Sequence, residues 1–260
     1  MFASIRGLLS RRRFVPPPMI FLTHAKAGST WVDGILRGIY GKQVAPRLFD
    51  VPETFSFEKR RIYSAIFMNR STYLQHPELF GIHRFVVIRD LRDTLVSHYF
   101  SARDTHKDDP AGRIAARRKI LLERSEEDGL LYVMEEMLHR HAAVQESWVG
   151  TETPLFRYEE LLQRDTEIFT DLLVHRFGHD IAPDRIEEVV AANRFENVFG
   201  RKLGAEDASS HGRRGLPGDW KNHFTPKVAA QFRERYGAVL IATGYEKDHQ
   251  WAETSLSPAK

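Results

Sequence analysis

Short apolar runs at residues 19–22, 62–68, 85–88 and 154–158 read as β-strands. Those at 19–22 and 85–88 are apolar without alternation, as strands are when a parallel sheet is covered on both faces. Between the runs the period changes. Trp31, Ile35 and Ile39 recur every four residues, as on one face of a helix. Ile168, Phe169, Leu172, Leu173 and Phe177 form another helical stripe, and Ile186, Val189 and Val190 a further one. A last helix is expected from about Pro226, because proline suits a helix's first turn. Strands interspersed with amphipathic helices predict an α/β fold.

The junction of the first strand and first helix carries the densest chemistry. Phe21-Leu22-Thr23-His24-Ala25-Lys26-Ala27-Gly28-Ser29-Thr30-Trp31 runs from strand through turn into helix. Gly28 lets the backbone bend and an anion approach its N–H groups. Ser29 and Thr30 place hydroxyl donors at the positive end of the helix, and Lys26 adds a full charge. The segment predicts a phosphate or sulfate site; read alone, it also suits a lysine and two hydroxyls capping a buried helix. It is not a Walker loop, in which the lysine follows the last glycine and a Mg²⁺-binding hydroxyl comes next. Here Lys26 precedes the segment's glycine. That order resembles the 5′-phosphosulfate loop of the soluble sulfotransferases, roughly P-K-[SA]-G-[ST]-[ST]-W, with Ala25 in the proline position. The resemblance assigns Lys26, Ala27, Gly28, Ser29, Thr30 and Trp31 to a donor nucleotide, with Trp31 against one face of its adenine.

Two more segments extend the resemblance. Arg89 follows an apolar run, at a strand's carboxyl end, where open α/β sheets bind ligands. Asp93 is the expected N-cap of the next helix, with Ser97 about one turn in and near Arg89. A guanidinium fork plus a hydroxyl suits a phosphate monoester, whereas an arginine there also suits pairing with Asp90 or Asp93. Residues 89–97 resemble the family's motif R-[ND]-x-x-D-x-x-x-S, which assigns Arg89 and Ser97 to the nucleotide's 3′-phosphate. Near the C-terminus, residues 213–225 read as a loop from their glycine and proline content. They resemble R-K-G-x-x-G-D-W-K-N-x-F-T, which assigns Arg213, Gly215 and, more loosely, Arg214 to the same phosphate. Paired arginines in such a loop can close over an anion.

Tyr158 lies in a stretch similar to the family's Y-E-[DE]-L and is implied to approach the phosphates; it equally suits a strand-end core position. Phe195 is implied to stack on the adenine, and Asn193 stands where the family often has threonine. The three segments, in family order, imply a soluble sulfotransferase that uses 3′-phosphoadenosine 5′-phosphosulfate (PAPS). Its fold would be three-layered, αβα, around a central parallel sheet, its product 3′-phosphoadenosine 5′-phosphate (PAP), and no metal would be needed.

Composition narrows the setting. A chain of 260 residues with 42% hydrophobic content can bury one sizeable core. We divide it into a basic leader at 1–18, one domain at 19–250 and a tail at 251–260. The leader holds Arg6, Arg11, Arg12 and Arg13 without an acid, then Pro16, Pro17 and Pro18. It suits a frayed terminus or a peripheral contact with an anionic membrane, and its apolar part is too short for a secretory signal. No apolar run reaches the roughly eighteen residues of a membrane span. Zero cysteines exclude disulfides and fit a cytoplasmic setting. A net charge of only +3 argues little for a nucleic-acid partner and is adequate for a polyanionic small ligand. Residues 103–127 are dense in both signs, as a solvated face is, and the resemblance implies a region that often covers the acceptor pocket as a lid.

The family's chemistry is in-line transfer to a hydroxyl or amine on a small molecule, glycan or lipid. Charge builds on the bridging oxygen, where Lys26 is expected to stand with Ser29 and Thr30 beside it. The base is open among three residues. Relatives carry a histidine within K-T-H-L upstream of the 3′-phosphate strand, and residues 67–77 lack that motif. His76 is nearest in type and position and is the expected base; His24 and Glu53 are the alternatives. A P-loop kinase would need Mg²⁺ ligands and a Walker-ordered lysine, and a non-catalytic anion-binding module would leave three spaced donor motifs unexplained. The family's dimer motif K-x-x-x-T-V-x-x-x-E keeps Lys221 and Thr225 but has Pro226 and Ala230 in its last two places. A monomer, or a dimer built elsewhere, is expected.

Overall fold

Strands β1 (Met19–Thr23), β2 (Ile62–Phe67), β3 (His83–Ile88) and β4 (Leu155–Arg157) realise the four apolar runs. They lie parallel in the order β2-β1-β3-β4. The structure is a computed structural model describing residues 17–48, 51–52, 55–205, 207, 210 and 213–254. Glu53 and most of the basic leader lie outside those residues. The helices are α1 (Ser29–Tyr40), α2 (Arg70–Tyr73), α3 (Leu91–Phe100), α4 (Arg113–Leu122), α5 (Glu126–Glu136) and α6 (Leu138–Trp148). They continue with α7 (Tyr158–Thr170), α8 (Pro183–Ala192), α9 (Phe195–Phe199), α10 (Pro226–Ala242) and α11 (Trp251–Thr254).

The strands have a two-residue period that two-sided burial hides from the sequence. Met19, Phe21, Phe85 and Val87 pack with Val32 and Ile35 of α1, Phe169 of α7 and Val190 of α8. Ile20, Leu22, Val86 and Ile88 join the opposite cluster, with Tyr73 of α2 and Trp148 of α6. This is the three-layer αβα arrangement. A further core of Leu95, Tyr99, Val133, Phe232 and Trp251 ties α3, α5, α10 and α11 together. Trp251, which the sequence reading puts in the tail, lies 5.6 Å from the Trp220 ring and 6.0 Å from that of Phe232.

The sheet register brings the carboxyl ends of all four strands to one edge. Thr23 pairs with both Phe67 and Val87, and Ile88 with Arg157. The connection from β1 runs through α1 to β2, while β3 lies on the other side of β1, so the strand order reverses at that edge. Ligands of open α/β sheets bind at such a reversal.

Three local expectations are corrected. The N-cap of α3 is Asp90, whose side chain accepts the Arg92 N–H, and not Asp93. Ser97 consequently lies about two turns into α3 rather than one. Tyr158 opens α7 instead of ending β4. The charged stretch 103–127 spans a wide turn (Ser101–Thr105), α4 and the start of α5. It is laced by Arg118–Asp108 at 2.7 Å and Arg113–Asp109 at 3.0 Å.

Candidate functional site

The loop between β1 and α1 is set by two left-handed residues, Lys26 at φ 70° and Gly28 at φ 79°. Lysine rarely adopts that region, so backbone strain is held here. A Cβ on Gly28 would come within 2.8 Å of the Tyr158 ring, so glycine is needed for contact as well as for conformation. Helix α1 has no acid in its first turn and no side-chain cap, which leaves its positive end available to an anion. The Lys26 stem is half-buried, but its ammonium is shut from solvent without a hydrogen-bond partner. Burial, with Arg89 nearby, lowers Lys26 to about 8.

Arg89 stands across the crevice, just past β3. Its Nη1 donates to the Lys26 carbonyl at 3.1 Å, and its guanidinium lies 5.0 Å from the Tyr158 ring centroid. Its Nε is buried without a partner. Burial opposes the charge on Arg89, but Asp93, Tyr158, Glu159 and Asp90 outweigh it and raise its pKa. The alternative in which Arg89 merely pairs with a neighbouring acid is not the arrangement found. Arg92 takes Asp90 at 2.7 Å, and the Asp93 oxygens accept the Gly218 and Trp220 N–H groups at 2.6 and 3.0 Å.

Those two bonds seat the third segment over the crevice. The Tyr158 hydroxyl donates to the Gly215 carbonyl at 3.2 Å, and Trp31 meets Tyr158 edge-on at 5.9 Å. Gly215 has φ 74°, and a Cβ there would lie 2.7 Å from Leu203 and 2.9 Å from Phe195. Lys26, Gly28, Trp31, Arg89, Tyr158, Gly215 and Phe195 are thus linked by direct contacts. Ala27 is buried beneath the loop, Ser29 is half-buried and Thr30 is exposed at the start of α1. Arg213 and Arg214 both pair with Asp219, the latter at 2.5 Å, and Arg213 also covers the Phe100 ring at 4.2 Å. Burial works against Asp219's charge, yet His223, Asn222 and Arg213 hold it well below the carboxylate range. Ser97 is half-buried, with no described contact to Arg89.

The histidines separate clearly. His76 is 3.2 Å from Glu78 and 5.1 Å from the Phe57 ring, which in turn packs on Tyr63. It belongs to the β2–β3 connection, and none of its described contacts is with the phosphate loop. His24 is buried beside Lys26. Its Nδ1 lies 2.9 Å from the Ala25 carbonyl, and its Nε2 lies 2.8 Å from the Gln145 amide nitrogen, so both ring nitrogens are engaged. Burial lowers it to about 4.

Two neighbours of the crevice were given no role by the sequence: Gln145, outside every motif, and Glu159, inside the Y-E-[DE]-L stretch. Gln145 also donates to the Arg89 carbonyl at 2.6 Å, so one amide clamps both walls of the crevice. Glu159 accepts the Asp90 N–H at 3.2 Å and the Tyr245 hydroxyl at 2.7 Å, which fixes a carboxylate behind Arg89. The visible hint was on α6, where His141 and Gln145 share the helical face of buried Trp148.

Lys26 Nζ, Arg89 Nε and Trp31 Nε1 are all buried without partners, and their residues meet at this edge through the Arg89–Lys26 bond and the Tyr158 ring. A nucleotide anionic at both its 5′ and 3′ ends fits them: a lysine, a guanidinium and a helix terminus for the anions, and two aromatics for the base.

Comparison with known proteins agrees. The sulfotransferase domain family matches residues 84–244, more than half of the chain. The mouse (Mus musculus) proteins sulfotransferase 2A2 and sulfotransferase 2A6 are 26% and 25% identical over 248 and 247 residues. These matches cover 85% and 86% of this chain and 84% of each relative. The structure of mouse sulfotransferase SULT7A1 complexed with PAP has a TM-score of 0.58 at 17% identity, covering 86% of this chain and 84% of that one. Retinol dehydratase in complex with androsterone and inactive cofactor PAP gives 0.57 at 15%, covering 87% and 81%.

Proposed function

The chain belongs to the sulfotransferase domain family, and from that premise we propose how its residues move a sulfuryl group from PAPS to a hydroxyl or amine acceptor. The reading is carried by the three partnerless buried donors Lys26 Nζ, Arg89 Nε and Trp31 Nε1 around one strand-edge crevice. PAPS brings a sulfuryl group that is already activated, so the reaction calls for charge stabilisation at the leaving oxygen. Lys26 supplies it, enclosed where a charge acts most strongly. The loop N–H groups with Ser29 and Thr30 hold the 5′ end. Arg89, Arg213, Arg214, the Gly215 backbone and, with a change of its surroundings, Ser97 hold the 3′-phosphate. Arg213 and Arg214 reach it by exchanging Asp219 for the phosphate. Trp31 and Phe195 take the adenine between them, and Tyr158 spaces the loop from Gly215.

A small organic acceptor is the reading we adopt, supported by the neighbour solved with androsterone. Among the described residues no helix is long and apolar enough to cross a membrane, and the absence of cysteine supports a cytoplasmic setting. Thr225 spends its hydroxyl within the chain, donating to Glu127 at 2.5 Å and capping α10 at Val228, which supports a monomer or a dimer built elsewhere.

Incubation with radiolabelled PAPS and a panel of phenols, alcohols and amines tests the reading. We expect labelled product and an equal yield of PAP, with Lys26→Ala lowering kcat by about 10²-fold or more, by analogy with loss of an oxyanion donor. Absence of transfer together with absence of PAP binding would overturn it.

A further inference from the structure

Four histidine rings stand in a row leading away from the phosphate loop. His24 stacks on His141 at 5.4 Å, His141 on His98 at 5.1 Å, and His98 meets His106 edge-on at 5.9 Å. The first three are buried, and His106, in the segment before α4, is half-exposed. The middle pair is hydrogen-bonded, with His98 Nδ1 3.0 Å from His141 Nε2. Lys26 is close enough that its charge bears on both rings. His98 also feels His106 and Arg117 of α4, and His141 feels His139 and Arg140 on its own helix. Burial is the main reason that His98 lies well below the usual histidine range and His141 near about 3, so both are neutral and keep a lone pair. In the stretch 67–77, where relatives carry their histidine, Asn69 caps α2 at Thr72 and His76 is held by Glu78 and Phe57 away from the phosphate loop.

We propose that His98, oriented by His141, accepts the proton of the acceptor hydroxyl and that His106 is the proton's exit to solvent. This rests on the sulfuryl-transfer reading above. His98 Nδ1–H donates to His141 Nε2, which leaves His98 Nε2 as the base, oriented by a third group as activated bases are. The acceptor oxygen bonds to sulfur while the bond from sulfur to the bridging oxygen breaks. That electron pair stays on the 5′-phosphate of the departing PAP, and the acceptor's proton goes to His98 Nε2, then through His106 to water. Negative charge beside Lys26 in the loaded site favours the protonated ring at that moment.

His98→Asn tests this, since the amide can replace Nδ1–H but not Nε2. With 2-naphthol, protonated at about pH 8, kcat should fall about 10²-fold; with 4-nitrophenol, largely ionised there, by less than about threefold. The PAP dissociation constant, read by calorimetry, should stay within about threefold of wild type. Equal losses with both phenols, or none, would overturn the assignment. If the variant does not fold, or wild type turns over neither phenol, nitrogen-15 NMR of wild type with PAP decides: His98 Nε2 unprotonated at neutral pH is expected, and a protonated Nε2 overturns it. Failure of wild type to bind PAP or transfer sulfate at all would instead sink the sulfuryl-transfer reading.

Discussion

Lys26 is held where a lysine is disfavoured twice, by its left-handed backbone and by enclosure of its ammonium beside Arg89. The order of lysine, glycine, hydroxyls and tryptophan marks it in the sequence as a candidate of the phosphosulfate loop, but neither form of strain could be read there. Its lowered pKa has a direct consequence. An anion raises the pKa of Lys26 above the free value of about 8, so binding is strongest below that pH and weakens as pH rises through it. At about pH 9, PAP binding should therefore take up a proton, visible as a buffer-dependent heat in calorimetry. Identical heats in buffers of different ionisation enthalpy would contradict this. Arg89 is distinguished by its site. Arg89→Ala should weaken PAP about 10- to 100-fold, the worth of a hydrogen bond to a charged group, and scarcely affect adenosine 5′-phosphate. Equal weakening of both nucleotides would make Arg89 structural.

Elements bring these residues together through contacts that no spacing rule encodes. Asp90 and Asp93 both precede the apolar positions of α3 and both satisfy the local rule for an N-cap. Only the seating of residues 218–220 on Asp93 decides between them. β1 and β3 were legible because the apolar runs 19–22 and 85–88 are unbroken. Ala65 at φ 59° and the register shift it accompanies between β1 and β2 were not, because a bulge leaves no compositional mark. His76 and His98 differ in the same way: the first is near in sequence to the family's histidine, the second near in space to Lys26. The Asp93 anchor yields a prediction at this scale. Asp93→Ala removes two hydrogen bonds to a buried carboxylate and should cost about 3 kcal/mol in urea unfolding while speeding hydrogen exchange at Gly218 and Trp220. A loss below about 0.5 kcal/mol, with exchange unchanged, would show that the loop is seated by other contacts.

The described residues form an αβα arrangement, and the packing of Trp251 into its cores depends on a partner, Trp220, distant in sequence. The pH behaviour is also a property of the whole molecule. Burial lowers His24 and His179 to about 4 and His141 to about 3, and takes His98 lower than usual. These folded values lie below the unfolded value of about 6.5, so the unfolded chain binds more protons as pH falls. The stability they permit is complete above about pH 6.5 and is lost below it, by about 1.4 kcal/mol per pH unit for each histidine. His223 has the opposite sign. Burial opposes its charge, but Asp219 and Glu126 raise it, so its contribution is complete below its unfolded value and is lost as pH rises through the folded one. Urea midpoints should fall steeply between about pH 6.5 and 4.5, with His141→Asn flattening the slope by about one proton; a level profile would contradict the buried cluster. The central claim, that this crevice is built for a 3′-phosphorylated sulfate donor, is tested most directly by titrating wild type with PAP and with ATP plus Mg²⁺ in a calorimeter. The account predicts that PAP binds and binds more tightly than ATP with Mg²⁺, whereas tighter ATP binding, or no PAP binding, would contradict it.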